Sequence, residues 1–284
     1  MSEPDGHPDG VDRRRTVFFV SDRTGITAEM LGNSLLSQFE TFDFQRLTIP
    51  FVDTPEKIAD VVRTINAQGA ADAKRPLVFS SIVDEAMSAQ LGHANALFLD
   101  LFQVFIAPLE AELAAKSSHA AGRSHGIANV HEYFQRMEAI NFAQAHDDAA
   151  STRDLDKAQV ILVGVSRCGK TPTTLYLALQ FGVLAANFPL TPDDFVDQQL
   201  PASVRPFKNR LFGLTIEPER LQQIRQARRP DSKYASMENC RYEVREAETL
   251  MRRERITAID TTARSIEEIA TVILHRAGLQ RHVF

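Results

Sequence analysis

Ala158-Gln159-Val160-Ile161-Leu162-Val163-Gly164-Val165-Ser166-Arg167-Cys168-Gly169-Lys170-Thr171-Pro172-Thr173-Thr174-Leu175 is the stretch whose reading decides the architecture. The apolar run Val160 to Val163 predicts a buried strand. Gly164, four residues, then Gly169-Lys170-Thr171 match the phosphate-binding loop pattern of glycine, four residues, glycine, lysine, and serine or threonine. Leu175, Ala178 and Leu179 then recur at helical spacing, with Gly182 placed to end the helix. Glycines let the backbone approach a ligand closely, and successive N–H groups form a nest for anionic oxygens in front of a helix N-terminus. In this pattern Lys170 reaches a terminal phosphate and Thr171 offers its hydroxyl to Mg²⁺. Residues Gly164, Val165, Ser166, Arg167, Cys168, Gly169, Lys170 and Thr171 are therefore the candidate nucleotide-binding set. The plainer reading is an ordinary strand–turn–helix that matches by chance.

Outward from this stretch, strands alternate with helices. Thr16 to Val20, Leu47 to Val52 and Leu77 to Val83 read as strands, with helices between them and a further apolar helix over Phe98 to Leu113. After the loop, Val183 to Leu190, Leu211 to Ile216 and Ile256 to Ile259 continue the alternation. This predicts an α/β chain: a disordered tail over residues 1–15, an N-terminal α/β domain over 16–150, and a phosphate-loop, kinase-like domain with a mostly parallel sheet over 151–284. Ser265-Ile266-Glu267-Glu268 reads as a capping box.

Other candidates carry two readings each. The turn containing Asp22, Thr24 and Gly25 closes a strand where open α/β folds place ligands, yet Thr24 or Thr27 could simply cap the next helix. Arg123 and His125 could bind phosphate or sit in a plain loop. His146-Asp147-Asp148 could hold Mg²⁺ or accept a hydroxyl proton, or be polar linker. Arg220, Arg225, Arg228 and Arg229 could close over a transferring phosphate, or form a solvated helix face. Asp260 could assist a metal site or cap a turn, and Cys240 reads as packing rather than a reactive thiol.

Bulk composition narrows the classes. The chain has 284 residues, 44% hydrophobic and 24% charged, with net charge -5. That is ordinary globular composition, without the basic excess of a broad nucleic-acid footprint. No apolar run is long enough to span a bilayer, and the N-terminus shows no secretory pattern. Two distant cysteines indicate neither a disulfide scaffold nor a zinc site. A cytoplasmic setting is the expectation.

The stretch from Gly164 to Thr173 with Leu175-Tyr176-Leu177-Ala178, followed by Ala186-Asn187-Phe188-Pro189-Leu190, closely resembles the phosphoenolpyruvate synthase regulatory proteins, sisters of the pyruvate, phosphate dikinase regulators. Ser21-Asp22 with Thr24-Gly25 and Thr27-Ala28-Glu29, His146-Asp147-Asp148, Tyr234-Ala235-Ser236 with Cys240, and Ser265 to Ala270 support it. Ala149 stands where the family usually has glycine. The resemblance implies a bifunctional enzyme. It would phosphorylate a threonine of phosphoenolpyruvate synthase with ADP as donor, and remove that phosphate with inorganic phosphate, releasing pyrophosphate. For that chemistry the catalytic candidates are Lys170, to stabilise charge on the transferred group, and Asp147 or Asp148, to orient the threonine hydroxyl or a metal-bound water, with Thr171 helping to hold Mg²⁺; the resemblance also implies a homodimer. The residues alone also admit an ATP-dependent small-molecule kinase or a nucleotide-sensing adaptor without transfer, and the resemblance also admits the same chemistry on pyruvate, phosphate dikinase.

Overall fold

The computed structural model describes residues 13–118 and 130–279. The first twelve residues of the expected tail, and the candidates Arg123 and His125, lie outside the described residues. Contacts divide the chain into two units, Met1–Gly126 and Ile127–Phe284.

The first unit runs β1 (Arg14–Val20), α1 (Ile26–Leu36), β2 (Asp43–Ile49), α2 (Pro55–Ala71), β3 (Leu77–Ser80), α3 (Glu85–Leu91), β4 (Leu97–Asp100) and α4 (Gln103–Leu113). Its sheet has the order β2-β1-β3-β4, every pair parallel. Alternation along β1 explains the layers. Phe18 and Val20 pack with Ile58, Val61 and Ile65 of α2, whereas Val17 and Phe19 pack with Ala28 and Leu36 of α1. A strand covered on both faces carries no polar side, which is why its sequence is a continuous apolar run.

Three expectations for this unit are corrected. Arg14 and Arg15, read as tail, are already paired with Asp43 and Phe44 in the β1–β2 ladder. The second strand lies earlier than Leu47 to Val52, because Asp43 to Arg46 complete that ladder despite their polarity. The single helix expected over Phe98 to Leu113 is a strand and then a helix. Leu97 to Asp100 pair with Leu77 to Ser80, and periodicity cannot separate so short an edge strand from the apolar helix behind it.

The second unit contains α5 (Val130–Ala145), β5 (Val160–Gly164), α6 (Lys170–Phe181), β6 (Ala185–Pro189), α7 (Pro192–Asp197), β7 (Leu211–Thr215), α8 (Pro218–Arg228), α9 (Met237–Arg253), β8 (Thr257–Asp260) and α10 (Ile266–Ala277). Its sheet is again all parallel, ordered β6-β5-β7-β8. All of β5 is buried. Small side chains let α5 lie close on α6, with Ala139 and Ala143 against Ala178. Gly182 and Gly278 end α6 and α10 in the left-handed conformation, and Ser265 with Glu268 forms the capping box.

In each unit the first central strand has its sequence successors on opposite sides: β2 and β3 flank β1, and β6 and β7 flank β5. The connections leaving neighbouring strands therefore diverge and open a crevice at the strands' carboxyl ends, where open α/β sheets bind ligands. Among the described residues no helix is long and apolar enough to cross a membrane.

Candidate phosphate-transfer site

The crevice of the second unit is filled by the connection Val165–Gly169 between β5 and α6. Gly164 has no room for a side chain. A Cβ there would sit 2.4 Å from the Leu214 carbonyl oxygen and 2.8 Å from Cys168 Sγ. Gly169 is needed for conformation instead: its φ of 96° starts α6 with nothing crowding it. Arg167 also takes a left-handed φ of 76° and is exposed. Cys168 contributes backbone only, since its buried thiol is pushed up by burial and stays protonated.

The loop carbonyls of Val165, Ser166 and Cys168 accept side-chain hydrogen bonds. Lys170 Nζ donates to Val165 O at 3.0 Å. Arg225 Nη2 donates to Ser166 O at 3.0 Å. Thr261 Oγ1 shares its single hydrogen between Cys168 O at 3.1 Å and Thr215 O at 3.0 Å. Lys170 is itself 4% exposed. A cleft of about 250 Å³ opens in front of the loop, lined by Asp148, Ser166, Arg167, Gly169, Lys170 and Thr171, among others.

The acidic segment meets this cleft. His146 is buried, stacked on Phe142, with ring nitrogens 2.8 and 2.7 Å from the carbonyl oxygens of Phe142 and Arg153. It anchors the turn rather than facing a ligand. Asp147 Oδ1 accepts from Thr171 Oγ1 at 2.7 Å and from Asn187 Nδ2 at 2.7 Å. Asn187 closes the circle by accepting the Asp148 N–H on its own side-chain oxygen at 3.0 Å. Asp147, Thr171 and Asn187 thus join three segments far apart in the chain. Asp148 is exposed, lines the cleft, and its carboxylate receives no hydrogen bond from the described residues. Asp148 and Ala149 both have left-handed φ, 45° and 62°. A glycine would hold the second of these more easily.

Mg²⁺ fits this donor set. Thr171 Oγ1 and Asp147 Oδ1 are adjacent hard oxygens, and Asp148 supplies a free carboxylate. Among the described residues no cluster of three or more His, Cys, Asp or Glu could hold a metal ion. A cation here would therefore depend on ligand phosphates, as Mg²⁺ commonly does.

Several candidates take other roles. Arg225 is neither a solvated residue nor a mobile arginine over the cleft. It is fully buried and ion-paired to Glu243 Oε2 at 2.6 Å, whereas Arg220, Arg228 and Arg229 are exposed. Asp260 caps its turn, accepting from the N–H and hydroxyl of Thr262. Cys240 packs in the core, and burial raises its thiol. In the first unit neither Thr24 nor Thr27 caps α1; the N-cap is Gly25, without a side-chain bond. Asn187, Thr261 and Tyr234 had no signal of a site role in spacing or composition, because their partners are remote in sequence.

The kinase/pyrophosphorylase family model matches residues 17–274. A protein of Legionella pneumophila (strain Corby) is 54% identical over 270 residues, covering 95% of this chain and all of its own length. One from Aromatoleum aromaticum is 56% identical over 271 residues, covering 95% of this chain and 98% of its own. One from Marinobacter nauticus is 51% identical over 269 residues, covering 95% and 99%. All three carry the provisional name phosphoenolpyruvate synthase regulatory protein. With its glycine-flanked loop, buried lysine and facing carboxylates, the chain belongs to the kinase/pyrophosphorylase family.

Proposed function

We propose that this protein controls phosphoenolpyruvate synthase by reversible phosphorylation of a threonine, at one cleft of the second unit formed by Gly164–Thr171 and Asp147-Asp148. In one direction the β-phosphoryl of ADP passes to the threonine hydroxyl, leaving AMP. In the other, inorganic phosphate takes the phosphoryl group from phosphothreonine, leaving pyrophosphate and free threonine. The observation that carries this reading is the convergence of Lys170, Thr171 and Asp148 on one cleft in front of a loop that has the carbonyls of Val165, Ser166 and Cys168 hydrogen-bonded within the protein.

One nest can serve both directions because the donor ADP and the product pyrophosphate share the diphosphate shape. Backbone N–H groups of the loop hold that anion, and Lys170 exchanges its Val165 carbonyl for a phosphate oxygen, countering charge as the phosphoryl group moves. Asp148 has the free carboxylate and the exposure to orient and deprotonate the incoming hydroxyl. Asp147 acts differently. It fixes the Thr171 hydroxyl, so that Thr171 presents its lone pairs to the cleft. Thr171 and Asp147 would hold Mg²⁺, which neutralises phosphate charge when bound. The names of the relatives support the choice of target protein.

Incubation with β-labelled ADP and purified synthase tests the reading. Label on a synthase threonine, discharged as pyrophosphate when phosphate is added, is the expected result. Label on a small metabolite, or ADP binding without transfer, would overturn it.

A further inference from the structure

Arg225 is the largest fully buried side chain of the protein's described residues, and its hydrogen bonds reach the phosphate loop directly and the segments around Tyr234 and Glu243. Nη2 donates to Ser166 O at 3.0 Å and to Glu243 Oε2 at 2.6 Å. Nη1 donates to Tyr234 O at 3.1 Å, and the guanidinium lies over the Tyr234 ring at 4.2 Å. The Tyr234 hydroxyl is 3.0 Å from Ser166 Oγ. Glu243 is fixed in turn by Asn239 Nδ2 at 2.7 Å. Ser166 is thus held at both its carbonyl and its hydroxyl, by one network that reaches the loop from behind.

As a source of stability this network is poorly built. Arg225 Nε is buried without a partner, and a buried ion pair with an unsatisfied N–H gives little net stabilisation. Its geometric effect is specific, however. With Val165 O held by Lys170, Ser166 O by Arg225 and Cys168 O by Thr261, three loop carbonyls are tied down before any ligand arrives. An anion nest needs its carbonyls out of the way, since each one turned inward would repel a phosphate oxygen.

We propose that Arg225, Thr261 and the Tyr234 hydroxyl, with Glu243 supporting Arg225, are positioning residues that preorganise the phosphate loop for diphosphate. They act through the loop and do not touch the transferring group. This rests on the functional reading above. Preorganisation acts equally on every ligand that uses the nest and on its ground and transition states, so it appears in binding and not in turnover.

The test uses the full chain, with pyrophosphate and ADP titrated calorimetrically and transfer rates measured at saturation. The double variant Arg225→Met/Glu243→Met removes both buried charges together, which spares the fold the cost of an unpaired one. Its Kd for ADP and for pyrophosphate should rise together, roughly tenfold, with kcat within about twofold of wild type. Thr261→Val and Tyr234→Phe leave the ion pair intact, and each should raise both Kd values by roughly threefold to fivefold. Should the double variant fail to fold, these two decide the matter. Unchanged Kd in folded variants overturns the proposal, as does a fall in kcat at unchanged KM, which would place Arg225 on the reacting phosphoryl. If wild type itself binds no diphosphate, the functional reading falls and takes this one with it; wild-type binding with indifferent variants sinks the positioning role alone.

Discussion

In the first unit β1 passes to α1 through Ser21–Gly25, and in the second β5 passes to α6 through Val165–Gly169. Both connections lie at the reversal point of a sheet with the same strand order. Both end in a left-handed glycine that starts the helix without a side-chain cap, Gly25 at φ 84° and Gly169 at φ 96°. The frames match; the chemistry placed on them does not. The first helical residue is Lys170 in one unit and Ile26 in the other. The Ser21–Gly25 turn holds a buried carboxylate, Asp22, whose Oδ2 accepts the Val83 N–H at 3.3 Å. In the second unit the connection is followed by a buried ammonium, and three of its carbonyls are captured. Topology and a left-handed glycine therefore supply a place for a ligand. Carbonyl capture does not separate the two, since Ser21 O and Arg23 O of the first turn accept from the N–H groups of Val52 and Phe51; in the proposed reading the sign of the nearby charge is what assigns phosphate to the second unit.

The largest effect that would test this contrast comes from Lys170→Ala. Both transfer directions should fall by roughly 10²–10³-fold together. Retention of either at the wild-type rate, measured on one preparation, would break the shared-site reading and with it the contrast between the units.

Asp148→Asn should lower turnover by about 10²-fold while sparing ADP affinity, since its carboxylate, which lines the cleft, accepts no hydrogen bond from the described residues. Asp147→Asn should instead raise the Mg²⁺ concentration needed for half-maximal rate, because it removes a negative charge beside the Thr171 hydroxyl while its amide oxygen can still accept that hydrogen bond. Titrating both variants with ADP and with Mg²⁺ separates the two roles; an exchange of phenotypes would reverse the assignments.

Paired glycine substitutions sharpen the comparison directly. Gly169→Ala and Gly25→Ala each force a side chain into a left-handed φ, at about 1–2 kcal/mol of stability. Only Gly169→Ala should also weaken ADP binding. Equal losses of affinity in the two variants would mean that the first unit takes part in nucleotide binding.

The smallest effect is expected at Ala149, whose φ of 62° strains a side chain beside the Asp147-Asp148 turn. Ala149→Gly should raise stability by about 0.5 kcal/mol, the relief of strain being partly offset by the greater freedom of glycine in the unfolded chain. Thermal unfolding in the absence of ligand measures it, and a lower midpoint would show that the surrounding turn already accommodates the methyl group.

Local sequence was enough wherever the signal and its partner lie within a few residues. The fixed spacing of Gly164, Gly169, Lys170 and Thr171 announced the strand, loop and helix, and Ser265 with Glu268 announced a cap that is present. The alternation of elements gave two α/β sheets, although the short edge strand β4 was lost against the apolar helix that follows it. The acidic pair was visible as a pair but not as two different residues. Asp147 and Asp148 are neighbours in sequence, and only the approach of Thr171 and Asn187 to one of them, leaving the other open to the cleft, separates their roles.

Arg225 shows the same limit most clearly. Its place among arginines on a polar helix suggested solvent, while packing of α8 and α9 buries it fully against Glu243 and turns it toward a loop 59 residues earlier. Sequence by itself determined the local geometry of the phosphate loop, because glycine conformations and helix starts are set by steric and hydrogen-bonding preferences within one turn. Tertiary structure alone decided which charges became buried partners and which stayed free, because desolvation and hydrogen-bond capture depend on the side chains that other segments bring into contact.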